Sequence, residues 1–257
     1  MADRKHIVIV GAGFGGVSLA QELAKKDVRI TLVDQHNYHL FQPLLYQVST
    51  AVLSPSEIAY PTRAFFRKNK NVEFFLAKAT GADQERRVLQ TDHGEISYDY
   101  LVLAAGGTTN FFGNESVERS SFAMKTLQEA IEVRNHIVHE FERAAKMTDP
   151  SMADERRRHL NFVIVGGGAT GIEMAGDLVK VAADGAELDI GLVQRGDFIV
   201  GRNGILADIH VDNIAHGIID RTFADFGQTE QIAAVCRRQA HGNAPVGCRM
   251  LSLLCIV

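Results

Sequence analysis

Two short glycine runs carry the clearest chemistry in this chain. The first is Gly11-Ala12-Gly13-Phe14-Gly15-Gly16, and the second is Gly166-Gly167-Gly168-Ala169-Thr170-Gly171. Both have the spacing G-x-G-x-x-G. In such a turn the first glycine permits a tight strand-to-helix reversal. The second lets a pyrophosphate approach the backbone, and the third lets helix and strand pack closely. The phosphates then lie on a helix N-terminus, where free N–H groups and the helix dipole favour negative charge. Asp34 follows the first run, and an acid at that place accepts hydrogen bonds from a ribose hydroxyl and repels a 2′-phosphate. The matching place in the second half is Gln194, followed by Arg195. Glutamine still bonds a ribose hydroxyl, but discrimination against a 2′-phosphate is weaker there. A glycine run is also compatible with a tight turn that binds nothing, so the flanking elements decide its meaning.

Those elements have the required pattern. His6–Val10 (HIVIV) is an apolar, β-branched run, as a strand buried on both faces requires. VSLAQELAKK after the first glycine run has helical spacing, and Val28–Asp34 reads as a second strand. Asn161–Val165, IEMAGDLVKVAA and Leu188–Gln194 repeat the arrangement 155 residues later. Two strand–turn–helix–strand units imply two dinucleotides. The economical chemistry is hydride transfer from a nicotinamide to a flavin, since both carry two electrons. In flavoproteins of this layout FAD takes the N-terminal site and NAD(P)H the internal one. Between the units, residues 72–105 read as several short strands with turns at Gly81 and His93–Gly94. Asn110–Ser121 reads as a linker, Thr126–Met147 as a helix, and the charged stretch Asp149–Arg158, with Pro150, as a loop. The expected class is α/β with two Rossmann-type modules: an FAD-binding module over 1–115, an NAD(H)-binding module over 116–194, and a divergent tail over 195–257.

Composition narrows the function classes. The 27 basic and 31 acidic residues leave a net charge of −4, which argues against nucleic-acid binding through bulk charge. The three cysteines, Cys236, Cys248 and Cys255, form no disulfide framework and point to a reducing compartment. None precedes residue 236, so a relay from flavin to a redox disulfide is excluded. Electrons must leave for a diffusible acceptor. The scattered histidines have no metal-ligand spacing, and no metal site is expected. No secretory or transit segment is expected before the first strand. RMLSLLCIV, the last nine residues, is too short to span a bilayer, so no integral anchor is expected.

Four segments together resemble the type II NADH dehydrogenases, single-subunit NADH:quinone oxidoreductases that carry FAD and pump no protons. They are HIVIVGAGFGGVSLAQEL, NYHLFQPLLYQVSTAVLSPSEIAYPTR, YDYLVLAAGGTTNFFG and FVIVGGGATGIEMAGDL. The match runs from about residue 6 to about residue 190, and HLFQPLLYQV is its most specific part. The resemblance implies that His39–Val48, with Leu44 in its middle, lines the flavin side of the site; core packing is the other reading of those apolar residues. It implies that Ala105 and Gly106 form the flavin-contacting crossover, with Ala105 where the family more often has Thr. It places Glu173 near nicotinamide and quinone, as a group that orients the nicotinamide or helps protonate the reduced quinone. Helix-terminal electrostatics would also account for a glutamate there. A quinone acceptor, peripheral attachment to the cytoplasmic face of the inner membrane and a homodimer are further implications.

Beyond about Gln194 the resemblance ends. The family's return segment, with its Gly-Asp flavin motif, and its amphipathic C-terminal helices have no counterpart in residues 195–257. All nine lysines lie in residues 1–180, a further sign of a composition break. A truncated or frameshifted C-terminal part is therefore expected, with an exposed sheet edge in the first module. Two other readings fit the same residues: a soluble NAD(P)H-dependent flavoprotein reductase, and a truncated product that is not catalytic.

Overall fold

The computed structural model describes residues 4–111, 113, 115–181, 189–194, 197–202 and 252–255. In chain order its first strands and helices are β1 (His6–Val10), α1 (Phe14–Leu23), β2 (Arg29–Asp34), β3 (Tyr38–Leu40), α2 (Leu45–Ser49), α3 (Pro55–Ile58), β4 (Ala59–Pro61) and α4 (Thr62–Phe65). Then come β5 (Val72–Leu76), β6 (Ala79–Asp83), β7 (Val88–Thr91), β8 (Gly94–Ser97), β9 (Tyr100–Leu103), α5 (Glu115–Ser120), β10 (Ser121–Phe122) and α6 (Leu127–Ala145). The rest are α7 (Ala153–His159), β11 (Asn161–Val165), α8 (Ala169–Val181), β12 (Asp189–Gln194), β13 (Asp197–Arg202) and β14 (Ser252–Cys255). They fall into two compact units: residues 1–41 with 56–108, and residues 42–55 with 109–257.

The first unit is a parallel sheet in the order β5-β2-β1-β9. The period-2 alternation of β1 sorts its side chains onto two faces. Ile7 and Ile9 join Ile30, Leu32, Phe74, Val17 and Ala20 in a core under α1. Val8 and Val10 join Val33, Ala77 and Leu89 in a second core, beneath the antiparallel sheet β6-β7-β8. Both faces of β1 are therefore dry, which explains why HIVIV is apolar without a break. Strand order reverses between β1 and β9, and ligands of open α/β sheets bind outside the strand ends at such a reversal. Among the described residues β9 is an edge strand, with Leu103 73% and Tyr100 58% exposed.

The second unit holds the sheet β10-β14-β11-β12-β13, in which β14, β11 and β12 run parallel and β13 returns antiparallel along β12. Phe162 and Ile164 of β11 are fully buried with Met174 and Leu178 of α8. Helix α6 opens with a capping box: Thr126 Oγ1 accepts from Glu129 N–H at 3.2 Å, and the Glu129 carboxylate accepts from Thr126 N–H at 2.8 Å. Residues 195–257, read as a tail outside both modules, supply β13 and β14 to this sheet; the other residues of that stretch lie outside the described ones.

Two sequence expectations are corrected. The stretch 149–158 is not a loop but a turn of 3₁₀ helix (Pro150–Met152) running into α7. Asp149 caps it by accepting from Ser151 N–H at 2.8 Å. Asp154 and Glu155 lie in the first turn of α7, with Arg156, Arg157 and Arg158 in its last, so the charges follow the helix dipole. Gly81 is not a turn but part of β6, at a bulge against β7. A Cβ there would press on the Gln90 side chain.

Candidate functional site

Each glycine run closes a strand and opens a helix, and the two do so alike. Gly11 has φ +103° and Gly166 φ +119°, both in the left-handed region that favours glycine. A Cβ on Gly11 would drive into the Ala104 carbonyl, so the end of β9 seats directly on the turn. A Cβ on Gly16 would overlap the Gly11 carbonyl oxygen, and one on Gly171 the Gly166 carbonyl oxygen. The next neighbours of those added atoms would be Ile9 Cγ2 and Ile164 Cγ2, each at 3.5 Å. At the middle glycines, Gly13 and Gly168, an added Cβ would meet nothing within 4 Å. The first α-helical bonds are Val17 N–H to Gly13 O at 3.0 Å and Ile172 N–H to Gly168 O at 3.2 Å. Open space thus lies over each middle glycine, and a glycine-to-carbonyl contact lies beneath each third one.

Neither helix start carries an acid of its own. Gly13, the N-cap of α1, supplies no capping side chain, and neither α1 nor α8 has an acid in its first turn. Gly13, Phe14 and Gly15 are exposed, as are Gly168 and Ala169. A helix N-terminus of this kind offers free N–H groups to an anion. These residues fit a dinucleotide pyrophosphate in both units.

Asp34 ends β2 and does more than face a sugar. Its Oδ2 accepts from Ala12 N–H at 2.6 Å and its Oδ1 from His36 N–H at 2.7 Å. The carboxylate therefore clamps the glycine turn to the end of the next strand. His39 Nδ1 bonds the Ala12 carbonyl oxygen at 2.9 Å, and the rings of Phe14 and His39 meet edge-to-face at 5.1 Å. Val10 pairs with Val33 on one side of the first unit, and Val165 with Val193 in the second. Gln194 therefore takes in β12 the register place that Asp34 takes in β2. Ala105 and Gly106 follow β9 and are exposed, Gly106 with φ +73°. Leu44 ends a 3₁₀ turn (Gln42–Leu44) and is the N-cap of α2, half-buried, within the second compact unit.

Glu173 is the fifth residue of α8, past the first turn, and its side chain is exposed. Helix-end electrostatics fade within one turn, so capping is a poor account of it. The structure singles out two further residues of this unit, Asp177 of α8 and Tyr46 of the HLFQPLLYQV segment. Asp177, one turn further on, is only 5% exposed; its Oδ1 accepts from Lys180 Nζ at 2.9 Å, and its Oδ2 has no partner among the described residues. Tyr46 of α2, within the same unit, lies in the field of Glu173 and Asp177. Burial and then these two carboxylates push its phenol above the usual tyrosine range. For Asp177 the signal in the sequence is its i, i+4 spacing from Glu173, which puts both on one side of α8. Among the described residues no group of three or more His, Cys, Asp and Glu could hold a metal, and no helix is long and apolar enough to cross a membrane.

Comparison with known proteins agrees with this geometry. The profile of the pyridine nucleotide-disulphide oxidoreductase family matches residues 5–210. Type II NADH:quinone oxidoreductase NdhA of Mycobacterium tuberculosis is 41% identical over 186 residues, 71% of this chain and 39% of that protein. The mitochondrial external alternative NAD(P)H-ubiquinone oxidoreductase B1 of Solanum tuberosum is 30% identical over 221 residues, 77% of this chain and 38% of that protein. NDH2 from Plasmodium falciparum, solved in complex with NADH, has the same fold, with a TM-score of 0.65 at 21% identity over 98% of this chain and 48% of that one. The chain thus spans about 39% of the length of the first of these relatives. With two glycine turns of one geometry, each on its own parallel sheet, and a profile match over most of its length, the chain belongs to the pyridine nucleotide-disulphide oxidoreductase family.

Proposed function

We propose that the first glycine turn binds FAD, the second binds NADH, and electrons pass on to a quinone. The observation that carries this reading is the pair of matched helix starts, neither with an acid in its first turn, with open space over Gly13 and Gly168. The curated relatives' names, which join NADH to quinone, support the assignment of substrates. Bound FAD supplies the two-electron chemistry that takes hydride from a nicotinamide and passes electrons to an acceptor. The chain's own residues bind and orient. N–H groups at Gly13–Gly16 and Gly168–Gly171 hold the pyrophosphates. Asp34 keeps the first turn in register and has lone pairs left for a ribose hydroxyl, and Gln194 holds the same register place in the second unit. Ala105 and Gly106 give an exposed backbone crossover beside the first turn. Glu173 faces the nicotinamide and the acceptor. The absence of cysteine before Cys236 favours a diffusible acceptor over a redox disulfide, despite the family's name.

Quinones dissolve in lipid, and the reading therefore includes peripheral contact with the cytoplasmic face of a membrane and assembly as a homodimer. The test uses the purified chain. Stoichiometric flavin absorbance, bleached by NADH, with NADH oxidation faster on a quinone analogue than on ferricyanide, is the expected result. Turnover with ferricyanide alone would favour a soluble reductase, and a chain that takes up neither FAD nor NADH would refute the proposal.

A further inference from the structure

A side chain from β3 holds the central peptide of the first glycine turn. Gly11 N–H donates to Val33 O at 2.8 Å, and Ala12 N–H to Asp34 Oδ2 at 2.6 Å. The Ala12 carbonyl oxygen accepts from His39 Nδ1 at 2.9 Å. A carbonyl oxygen only accepts, so Nδ1 carries a proton. The Ala12 carbonyl and the Gly13 N–H belong to one planar trans peptide and point in opposite directions. Tying the carbonyl to His39 therefore turns the Gly13 N–H away from His39, and Gly13 is exposed. The imidazole is itself fixed. His39 pairs with Tyr60 of β4. Its ring meets Phe14 edge-to-face at 5.1 Å and Phe65 at 5.5 Å, and Phe65 meets Tyr60 at 5.0 Å. Phe14 comes from the glycine turn and Phe65 from α4, so the ring is gripped from two elements.

We propose that His39 is a positioning residue for the FAD pyrophosphate: its Nδ1–H fixes the Ala12–Gly13 peptide so that the Gly13 N–H is presented before the ligand arrives. The inference rests on the reading that the first glycine turn binds FAD. With the Gly11 and Ala12 amides engaged, Gly13 N–H is the first amide of the turn available to an anion among the described residues. Its direction is also the least secured by the backbone. Gly13 has no Cβ to hinder rotation of the peptide before it. The α-helical bonds of α1 begin only at Gly13 O, which accepts from Val17 N–H. Half a turn of the Ala12–Gly13 peptide would bring the Ala12 carbonyl oxygen to the phosphate in place of the N–H, and attraction would become repulsion. The bond from His39 opposes that rotation. A site ordered in advance binds more tightly, because the ligand does not have to order it. His39 thus acts through the peptide and need not touch the ligand.

The test compares His39→Phe with His39→Asn in the full chain. Phenylalanine keeps a ring for Phe14 and Phe65 but removes the donor. Asparagine gives up the ring but restores a donor, since its Nδ2, like Nδ1 of histidine, is bonded to Cγ. His39→Phe should weaken FAD binding about tenfold, the upper end of what one hydrogen bond contributes, and His39→Asn should recover most of that loss. NADH affinity, which belongs to the second turn, should be unchanged in both. Two measurements on the wild-type chain without FAD are independent of the variants. Long-range proton–nitrogen NMR should show His39 protonated at Nδ1, and the Gly13 amide signal should shift on addition of inorganic pyrophosphate. Wild-type FAD affinity in His39→Phe overturns the proposal. So does equal weakening in His39→Asn, which would reduce His39 to packing, and so does an unprotonated Nδ1. A wild-type chain that takes up no FAD refutes the underlying reading, and the His39 and Gly13 signals still decide whether His39 positions an anion site.

Discussion

Substituting alanine at Gly171 and at Gly168, three residues apart, should give opposite phenotypes. At Gly171 the added Cβ would overlap the Gly166 carbonyl oxygen, and because the obstacle is backbone, α8 and the turn must part. Overpacking of this kind costs about 3 kcal/mol at the upper end of its usual range. Replacing a helical glycine by alanine returns about 1 kcal/mol. The net loss is about 2 kcal/mol, or a fall in Tm of about 4–8 °C for a chain of this size. At Gly168 the added Cβ meets nothing within 4 Å, and the backbone is not left-handed there. Stability should stay within about 0.5 kcal/mol, but the methyl occupies the space a pyrophosphate needs, so NADH affinity should collapse. Far-UV circular dichroism on heating reads the first effect and quenching of NADH fluorescence the second. Equal destabilisation by the two substitutions, or Gly168→Ala binding NADH as wild type does, would refute the division of roles between the glycines.

Three other outcomes follow from particular contacts. Asp34→Asn turns an amide against Ala12 N–H or His36 N–H, each of which now donates to a carboxylate oxygen. Urea unfolding should show a loss of about 1–3 kcal/mol, the cost of an unsatisfied donor, together with weaker FAD retention. Burial, then the Arg29 guanidinium, lowers the pKa of His6, which accepts from Arg29 through Nδ1 at 2.6 Å and bonds Thr31 through Nε2 at 2.8 Å. The folded state therefore disfavours the charged ring. Its contribution is whole above the unfolded pKa near 6.5 and is lost as pH falls towards the lower folded value. Denaturation midpoints should drop below about pH 6.5 in wild type and drop less in His6→Gln. Leu103→Lys places a charge on the exposed edge strand. It should leave stability within about 0.5 kcal/mol and reduce aggregation measured by light scattering; unchanged scattering would show that this edge is not what associates.

Both glycine turns, their strands and their helices are legible in the sequence because their causes are local. A tight reversal selects glycine at fixed spacing, and a strand dry on both faces selects an unbroken β-branched run. Other elements differ from the sequence expectation for equally physical reasons. Charge density over residues 153–158 looks like a solvated loop until the order of acids before arginines is set against the dipole of α7. Gly81 resembles a turn until β7 lies beside it and Gln90 fills the space its side chain would take.

What the sequence determined by itself is the pair of nucleotide turns, the class of fold and the family resemblance, all properties of contiguous runs. Other features arise from residues far apart in the chain that meet only on folding. Asp34 reaches back 22 positions to the Ala12 amide, and the end of β9 supplies the wall that makes glycine obligatory at position 11. Packing of α2 on α8 brings Tyr46 under the influence of Asp177. Burial and long-range approach are set by the assembled core, so a carboxylate's partners, and its want of one, become visible only when the core is formed.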